Sequence, residues 1–311
     1  ISPRTLVEAI KRLGFFGVSE TAIGADLVSS RLARDFAGGA GRGPDAHPLY
    51  LSSACPVAVE YVKQYLPSLA PYVTDRASPL LAHARFLKEL YGPDTGVVFA
   101  GPCIAKKREA DVFQTIDCSI SFRDLREWFA DAGIDLRALE ATPSAEPASG
   151  ASPFMPFSAA KGALYPVDGG MIAAVKKYPG TDEVKMMTVT GLDEIDSALR
   201  GLDPDDLPSA LFVELLACPG GCVNGPLVSR GTPTALRRIR LLDYASRASD
   251  VAAGLSEPDM TGTLPVEAYS VAVHADDDVR AALRTVGKFT AQDELNCGSC
   301  GYDTCRAFAA A

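Results

Sequence analysis

Hydrophobic residues recur along the chain with two different spacings. Leu6, Ile10 and Leu13 lie three or four residues apart, which predicts an amphipathic helix that ends at Gly14. The same spacing predicts further helices, one from about residue 21 to the glycine-rich stretch 38–43 and others at 57–66, 124–133, 194–201 and 276–286. Short continuous apolar runs predict strands at 48–51, 96–100, 116–122 and 211–217. Because strands alternate with helices, we expect an α/β fold.

Three of these predicted strands lead into cysteines. The first, second and fourth runs are followed by Cys55, by Cys103, and by the pair Cys218 and Cys222. Ligands of α/β sheets bind beyond the carboxyl ends of the strands. We therefore predict that the four cysteines share one site.

The segment 218–222 (CPGGC) is the sharpest local feature of the sequence. Its proline and glycines predict a loop, and Gly220 and Gly221 let the backbone come close to a bulky inorganic ligand. The alternative is a tight turn with two incidental thiols. Cys55 and Cys103 are weaker signals by themselves, because a single cysteine at a strand end is commonly a small buried apolar residue.

A basic run, Lys106 to Arg108, follows Cys103. Positive charge at a loop-to-helix junction lowers the pKa of a nearby thiol and attracts an anionic ligand. The alternative interpretation is a solvated helix face, and the sequence alone does not separate the two.

The last cysteines are Cys297, Cys300 and Cys305, three within nine residues. Zinc and four-iron sites normally take four ligands. Either the sequence is part of a longer chain, as its start at Ile1 also indicates, or a remote cysteine completes the set. Cys118 is the remaining candidate, although its place in the predicted strand 116–122 favours a structural role.

Composition narrows the chemistry further. A chain of 311 residues predicts one two-lobed unit or two domains, and a net charge of −9 argues against nucleic acid as a partner. No apolar run is long enough to span a bilayer and no signal peptide is recognisable, so we expect a cytoplasmic protein. In that compartment the eight cysteines favour metal ligation over disulfides, and the three histidines lie far from them in sequence. A thiolate-rich site suits zinc or iron–sulfur clusters.

The domain boundaries follow from the same patterns. We expect a two-lobed domain at 1–250, a connecting segment at 251–290 and a partial cluster-binding segment at 291–311. The stretch 141–158 is rich in Pro, Ser and Ala, which predicts a surface loop.

Taken together, these residues resemble the iron-only ([FeFe]) hydrogenase large-subunit family, which carries three cysteine motifs around its H-cluster. Residues 52–56 (SSACP) resemble the first motif, TSCCP. Residues 101–109 (GPCIAKKRE) resemble the second, MPCxxKxxE, and 214–225 (ELLACPGGCVNG) resemble the third, ExMACxGGCxxGG. Residues 293–305 are similar to a four-iron segment that follows this domain in sensory members of the family.

The resemblance implies an α/β fold in which two lobes of mixed β-sheet, flanked by helices, hold the cluster between them, followed by a short iron–sulfur segment. It implies a [4Fe–4S] cluster bound by Cys55, Cys103, Cys218 and Cys222. The Cys222 sulfur would also bridge to a di-iron unit with CO, cyanide and dithiolate ligands, close to Gly220 and Gly221. A second [4Fe–4S] cluster would use Cys297, Cys300 and Cys305.

Further residues gain roles from the same resemblance. Lys106 would donate a hydrogen bond to a cyanide, and Ser78 and Pro79 would line the di-iron pocket. The reaction would interconvert protons and electrons with H2. Its partners would be a ferredoxin-like carrier or an upstream iron–sulfur domain, and a signalling domain downstream in sensory members.

Departures from the family pattern concern proton transfer. Ala54 occupies the position of a proton-relaying cysteine, and Arg31 lies nearest to an expected carboxylate. Gly101 and Leu80 replace a methionine and a polar residue. A positioned proton donor is worth ~10²–10⁴-fold in rate, so the pattern predicts slow turnover, typical of H2-sensing members.

Three hypotheses follow for the function. The first is a low-activity, sensory hydrogenase domain. The second is a non-catalytic iron–sulfur protein of the cluster-assembly type, with a [4Fe–4S] cluster and no di-iron unit, and the third is a structural zinc protein. Lys106 and the Ser78–Pro79 pair favour the first.

Overall fold

The chain forms two units in the computed structural model, which describes residues 1–39, 48–141, 152–229, 231–247, 256–266 and 274–311. The first unit is Ile1–Glu267 and the second is Ala268–Ala311. The segment 251–290, expected to be one connection, is therefore divided between them. Most of the predicted loop 141–158 lies outside the described residues.

Helices and strands alternate in the first unit, as the sequence predicts. Its helices are α1 (Pro3–Arg12), α2 (Ala22–Gly39), α3 (Pro56–Tyr65), α4 (Pro79–Tyr91), α5 (Ala105–Phe113), α6 (Phe122–Asp131), α7 (Leu136–Ala141), α8 (Gly170–Val175), α9 (Leu192–Leu199) and α10 (Thr234–Ser246). Its strands are β1 (Leu49–Leu51), β2 (Val98–Gly101), β3 (Cys118–Ser121), β4 (Lys185–Thr190) and β5 (Leu211–Leu216).

The strands form two sheets, one with the order β1-β5-β4 and one with β2 beside β3. The α/β fold is confirmed; the family resemblance implies mixed sheets, whereas every strand pair in the described residues is parallel. The reason lies in the connections, because α5 leads from β2 to β3 and α9 leads from β4 to β5. A helical crossover returns the chain to the same end of the sheet.

Some elements escaped the sequence analysis. Strand β4 is an edge strand with mostly partly exposed residues, so its apolar signal is weak. Helices α4 and α10 and the short helices α7, α8 and α12 (Cys305–Ala310) were also not predicted. Five consecutive residues of α4, 80–84, are buried, so the first half of this helix shows a continuous run rather than the three-to-four-residue spacing that identifies an amphipathic helix.

The larger sheet is covered on both faces. Alternate residues of β5 point to opposite sides, so Phe212 packs in the cluster around α2 and α4, while Val213 and Leu215 pack with residues of α3 and α9. This arrangement explains why β5 is an almost unbroken apolar run.

The segment 256–266 also belongs to the first unit. Met260 is buried in the same cluster as α2 and α4, and Leu264 is buried in the cluster on the other face of the sheet. The Ala77 amide donates to the Met260 carbonyl at 2.8 Å, immediately before α4. The first part of the expected connection is therefore a packed strap rather than a free linker.

The second unit contains the helices α11 (Asp276–Thr285) and α12 (Cys305–Ala310), which pack together. Val279 and Leu283 are its buried apolar residues among those described. Nowhere in the described parts of the chain is a helix long and apolar enough to cross a membrane.

Candidate metal centre

Two of the cysteine segments leave the same edge of the larger sheet. Strands β1 and β5 are parallel neighbours, so their carboxyl ends coincide. Beyond β1, the Ser52 amide donates to the Val213 carbonyl at 3.0 Å, and the Ser52 hydroxyl accepts the Leu215 amide at 2.9 Å. These bonds extend the pairing toward Cys55, which precedes Pro56 at the start of α3.

The third cysteine segment comes from the smaller sheet. Cys103 lies between β2 and α5, and the neighbouring Pro102 carbonyl accepts the Leu227 amide at 3.3 Å. Leu227 follows the loop that carries Cys218 and Cys222. A backbone hydrogen bond therefore links the segment that follows β2 to the segment that follows the cysteine loop.

The thiols lie close enough to influence the pKa values of three of them. Burial, followed by the neighbouring Cys55, Cys103 and Cys218, raises the pKa of Cys222 to about 12. Burial also raises the pKa of Cys55 and that of Cys218, and Cys103 contributes to both. The described residues bring no three His, Cys, Asp or Glu side chains within reach of one metal ion.

This environment fits a polynuclear cluster. Four partly buried thiolates repel one another and can be ionised together only if a cationic group compensates them. A four-iron cluster supplies several cations and takes one sulfur at each iron, so its ligands stand further apart than those of a single zinc ion.

Lys106 is the one residue of the basic run that turns toward the cysteines. Its ammonium donates to the Glu109 carboxylate at 2.5 Å and to the Ala54 carbonyl at 3.4 Å. It also lowers the pKa of Cys55 and that of Cys222. Lys106 and Glu109 are 12% and 4% exposed at their side chains, so this charge is held in a largely dry environment.

The other two basic residues face outward. Lys107 pairs with Asp124 at 3.2 Å, and Arg108 pairs with Glu60. Both alternatives from the sequence therefore apply, since the run holds one inward cation and two cations on the solvated face.

Gly221 shapes the loop that carries two of the cysteines. Its φ is +95°, and a Cβ atom there would lie 2.5 Å from the Pro166 carbonyl oxygen. The Gly221 amide donates to the Cys218 carbonyl at 2.9 Å, and the Val223 amide donates to the Pro166 carbonyl at 3.1 Å. Only glycine satisfies both the left-handed backbone and the close approach.

Ser78 and Pro79 begin α4. The Ser78 hydroxyl accepts the Leu81 amide at 3.3 Å and so caps the helix, and the side chain is buried. Pro79 occupies the first helical turn. The structure gives the pair an architectural role, and their predicted place in a di-iron pocket stays a prediction.

The positions that depart from the family pattern are occupied differently. The Ala54 side chain has no titratable group, and its carbonyl is engaged by Lys106. Arg31 pairs with Asp35 at 3.0 Å and with Glu257 at 3.1 Å, on the strap 256–266. Arg31 is therefore tied into a charged network on α2.

Two buried carboxylates were not assigned a role from sequence. Glu214, in the middle of β5, accepts the Met171 amide at 3.1 Å and the Thr188 hydroxyl at 3.0 Å. Asp26 accepts the Ala160 and Gly162 amides at 2.6 and 2.7 Å. Burial raises the pKa of both carboxyls. The sequence did contain a signal for such a residue, namely a charged position inside an apolar run such as 211–217.

The C-terminal cysteines form a separate feature in the second unit. Cys297 and Cys300 are exposed, and Cys305 begins α12, where its amide donates to the Asn296 side chain at 2.8 Å. A hydrogen bond from Ser299 is the largest influence that lowers the pKa of Cys297. Cys118, the fourth-ligand candidate, is an exposed residue of β3 in the first unit.

Solved structures of similar fold are [FeFe]-hydrogenases. A structure of HydA(deltaEFG) that concerns stepwise H-cluster assembly has a TM-score of 0.65 at 21% identity and covers 85% of this chain and 88% of that one. A variant of HydA1 from Chlamydomonas reinhardtii gives the same four values. At this identity the likeness shows the fold.

Curated relatives cover a similar part of the chain. The periplasmic [Fe] hydrogenase large subunit of Nitratidesulfovibrio vulgaris is 25% identical over 77% of this chain and 66% of its own length. Iron hydrogenase 1 of Clostridium pasteurianum is 26% identical over 74% of this chain and 46% of its own length. The chain thus spans less than two thirds of the first relative and less than half of the second.

Two family models match the chain, one in each unit. Residues 293–311 match a short family described as "Putative Fe-S cluster". Residues 1–226 match the family described as iron only hydrogenase large subunit, C-terminal domain. The chain belongs to the iron-only hydrogenase large-subunit family.

Proposed function

We propose that the first unit binds an H-cluster and interconverts protons and electrons with H2 at a low rate. The observation that carries this proposal is the convergence of cysteines from three segments beside one inward lysine, Lys106. A structural thiol cluster has no need of the Lys106 ammonium, whereas a cluster with anionic ligands does.

Each residue of the site has a defined task in this proposal. Cys55, Cys103, Cys218 and Cys222 would hold the four-iron part, and Cys222 would also serve the di-iron unit. Lys106, held by Glu109 and the Ala54 carbonyl, would donate its remaining N–H to an anionic ligand of that unit. The bound group supplies the redox chemistry, and the protein excludes water and tunes the charge around it.

Infrared and electron paramagnetic resonance spectra test the proposal directly. The full chain is reconstituted anaerobically with iron and sulfide and then loaded with the synthetic di-iron cofactor. We expect a four-iron signal together with CO and cyanide bands. A four-iron signal without those bands would support the non-catalytic iron–sulfur hypothesis instead, and bound zinc without iron would contradict both.

The low rate has its own test at position 54. Because alanine cannot carry a proton, we expect Ala54→Cys to increase H2 production by about 10²-fold or more, within the ~10²–10⁴-fold range of positioned proton donors. Ala54→Ser is the matched control, since it adds a polar atom without a thiol. Equal rates for all three proteins would contradict the role assigned to this position.

The remaining assignments belong to the same proposal. A second [4Fe–4S] cluster on Cys297, Cys300 and Cys305 would pass electrons between the first unit and a ferredoxin-like carrier. Slow turnover is consistent with H2 or redox sensing and with a signalling domain downstream. We keep the cytoplasmic location as a proposal, and note that the relative from Nitratidesulfovibrio vulgaris is named periplasmic.

A further inference from the structure

Helix α10 contacts the cysteine loop from a part of the chain outside the family match, which ends at residue 226. Two consecutive arginines of this helix, Arg237 and Arg238, turn toward the loop. Arg240, three residues after Arg237, is exposed and provides a natural comparison.

Arg238 makes two contacts beside the cysteines. Its Nη1 donates to the Gly220 carbonyl at 3.2 Å, and its Nη2 pairs with Asp168. Gly220 lies between Cys218 and Cys222, and a Cβ atom built on Gly221 would lie 3.1 Å from the Asp168 amide nitrogen. The ion pair therefore lies against the loop from one side.

Arg237 secures the far end of the same loop. Its Nη2 donates to the Asn224 side-chain oxygen at 2.9 Å, and its Nη1 donates to the Ser229 carbonyl at 3.1 Å. The Asn224 amide group in turn donates to the Pro219 carbonyl at 2.9 Å. Adjacent arginines of one helix thus hold the loop, Arg238 directly at Gly220 and Arg237 through Asn224 at Pro219.

We propose that Arg238 is a positioning residue that fixes the Cys218–Cys222 loop through the Gly220 carbonyl and raises the reduction potential of the cluster through its charge. This inference rests on the proposed function, because it requires a four-iron cluster on these cysteines. Arg237 supports the loop geometry, and Asp168 sets how much of the Arg238 charge reaches the cluster.

Electrostatics gives the direction of the effect. The potential of an iron–sulfur cluster depends on net charge, on hydrogen bonds around it and on solvent exposure. Reduction adds an electron to a cluster bound by four thiolates, so a nearby cation favours the reduced state. The Arg238 side chain is 33% exposed, which screens part of this charge and predicts a moderate shift.

A redox titration followed by electron paramagnetic resonance measures the effect. All proteins are full-length chains that carry Cys297→Ala and Cys300→Ala, so that only one four-iron cluster contributes to the signal. Arg238→Gln removes the charge, Arg238→Lys retains it, Asp168→Asn removes the neighbouring anion, and Arg240→Gln is the matched control on the same helix.

We expect Arg238→Gln to shift the midpoint potential to a more negative value and Arg238→Lys to restore at least half of that shift. Asp168→Asn is expected to shift it to a more positive value, and Arg240→Gln to leave it unchanged. An Arg238→Gln potential equal to that of Arg240→Gln, or no restoration by lysine, would overturn the inference.

Two further outcomes keep the inference separate from the proposed function. If Arg238→Gln retains no cluster, the inference is judged from the midpoint potential of Asp168→Asn. A shift to a more positive potential supports the inference, and an unchanged potential overturns it. If the parent protein itself binds no four-iron cluster after reconstitution, the proposed function fails before the variants are compared.

Discussion

The chain contains two cysteine centres that differ in how the fold supports them. In the first unit, cysteines from three distant segments meet at the ends of parallel strands, and burial raises the pKa of Cys55, Cys218 and Cys222. In the second unit, three cysteines lie within nine residues, Cys297 and Cys300 are exposed, and the pKa of Cys297 is lowered.

The difference shows how far tertiary packing determines the position and the solvent exposure of the cysteine side chains. Assembly from distant segments requires the sheets and helices to be in place, so the fold positions the thiols of the first centre and partly buries them. A local motif needs only a turn and the start of a short helix, so its thiols stay accessible. We expect the first centre to depend on the fold and the second to depend mainly on its own sequence.

Removal of one ligand gives the largest expected effect. Cys222→Ala is expected to abolish the four-iron signal of the first unit, because Cys222 would bind both parts of the cluster, while the signal of the second unit persists. Iron analysis and electron paramagnetic resonance of the reconstituted protein provide the measurement. Cys118→Ala is the control for the first unit and should retain its four-iron signal, and loss of both signals in Cys222→Ala would show that the two centres are not independent.

A glycine-to-alanine substitution in each cysteine segment compares how tightly the two backbones are packed. In Gly221→Ala, the positive φ costs ~1–2 kcal/mol and the contact with the Pro166 carbonyl costs ~1–3 kcal/mol more, so we expect the first unit to lose more than about 2 kcal/mol of unfolding free energy. Gly298 has φ +70° and open space around it, so Gly298→Ala should cost only ~1–2 kcal/mol. Urea denaturation measures both, and equal costs would contradict the tighter packing of the first loop.

A buried histidine makes the stability of the first unit depend on pH. Burial lowers the pKa of His83 to about 4, and its Nε2 is bonded to the Ser19 hydroxyl at 2.8 Å. The unfolded chain takes up this proton near pH 6.5, whereas the folded chain does so only near pH 4, so the free energy of unfolding falls as the pH decreases between these values. The difference amounts to about 3 kcal/mol at most.

Denaturation curves between pH 4 and 7 measure this contribution as the difference between the parent protein and His83→Gln. His274→Gln, at an exposed position of the second unit, is the control and should follow the parent curve. If His83→Gln retained the full loss of stability at low pH, other groups would be responsible.

The smallest expected effect is a difference in the rates at which the thiols of the two centres are alkylated in the cluster-free protein. Since the thiolate is the nucleophile, we expect iodoacetamide at pH 7.5 to modify Cys297 about tenfold or more faster than Cys222. Peptide mass spectrometry over time gives both rates. Faster modification of Cys222 would mean that the first centre opens to solvent when it lacks a cluster.

Much of this comparison was accessible from the sequence. Continuous apolar runs predicted four of the five described strands, and the position of each cysteine after a run predicted a shared site. Motif spacing suggested the family that the match over residues 1–226 then established. These features are local, because they depend on neighbouring residues and on the alternation of strands with helices.

Other features could not be predicted in this way. Edge strand β4 has too few buried residues to give a continuous apolar run, and the strap 256–266 has no helix or strand pattern at all. Glu214 and Asp26 are buried because backbone amides from distant segments satisfy them. Such partners are separated by many residues, so no local pattern records them.

The sequence by itself determined which residues are proposed as cluster ligands, namely the cysteines of the three motifs and of the C-terminal segment. The tertiary structure decided that Lys106 faces the cysteines while Lys107 faces solvent, and that Arg238 of α10 reaches the loop between Cys218 and Cys222. The physical reason is that ligand chemistry belongs to the side chain, whereas its burial, its charge and its neighbours are set by packing between segments distant in the chain.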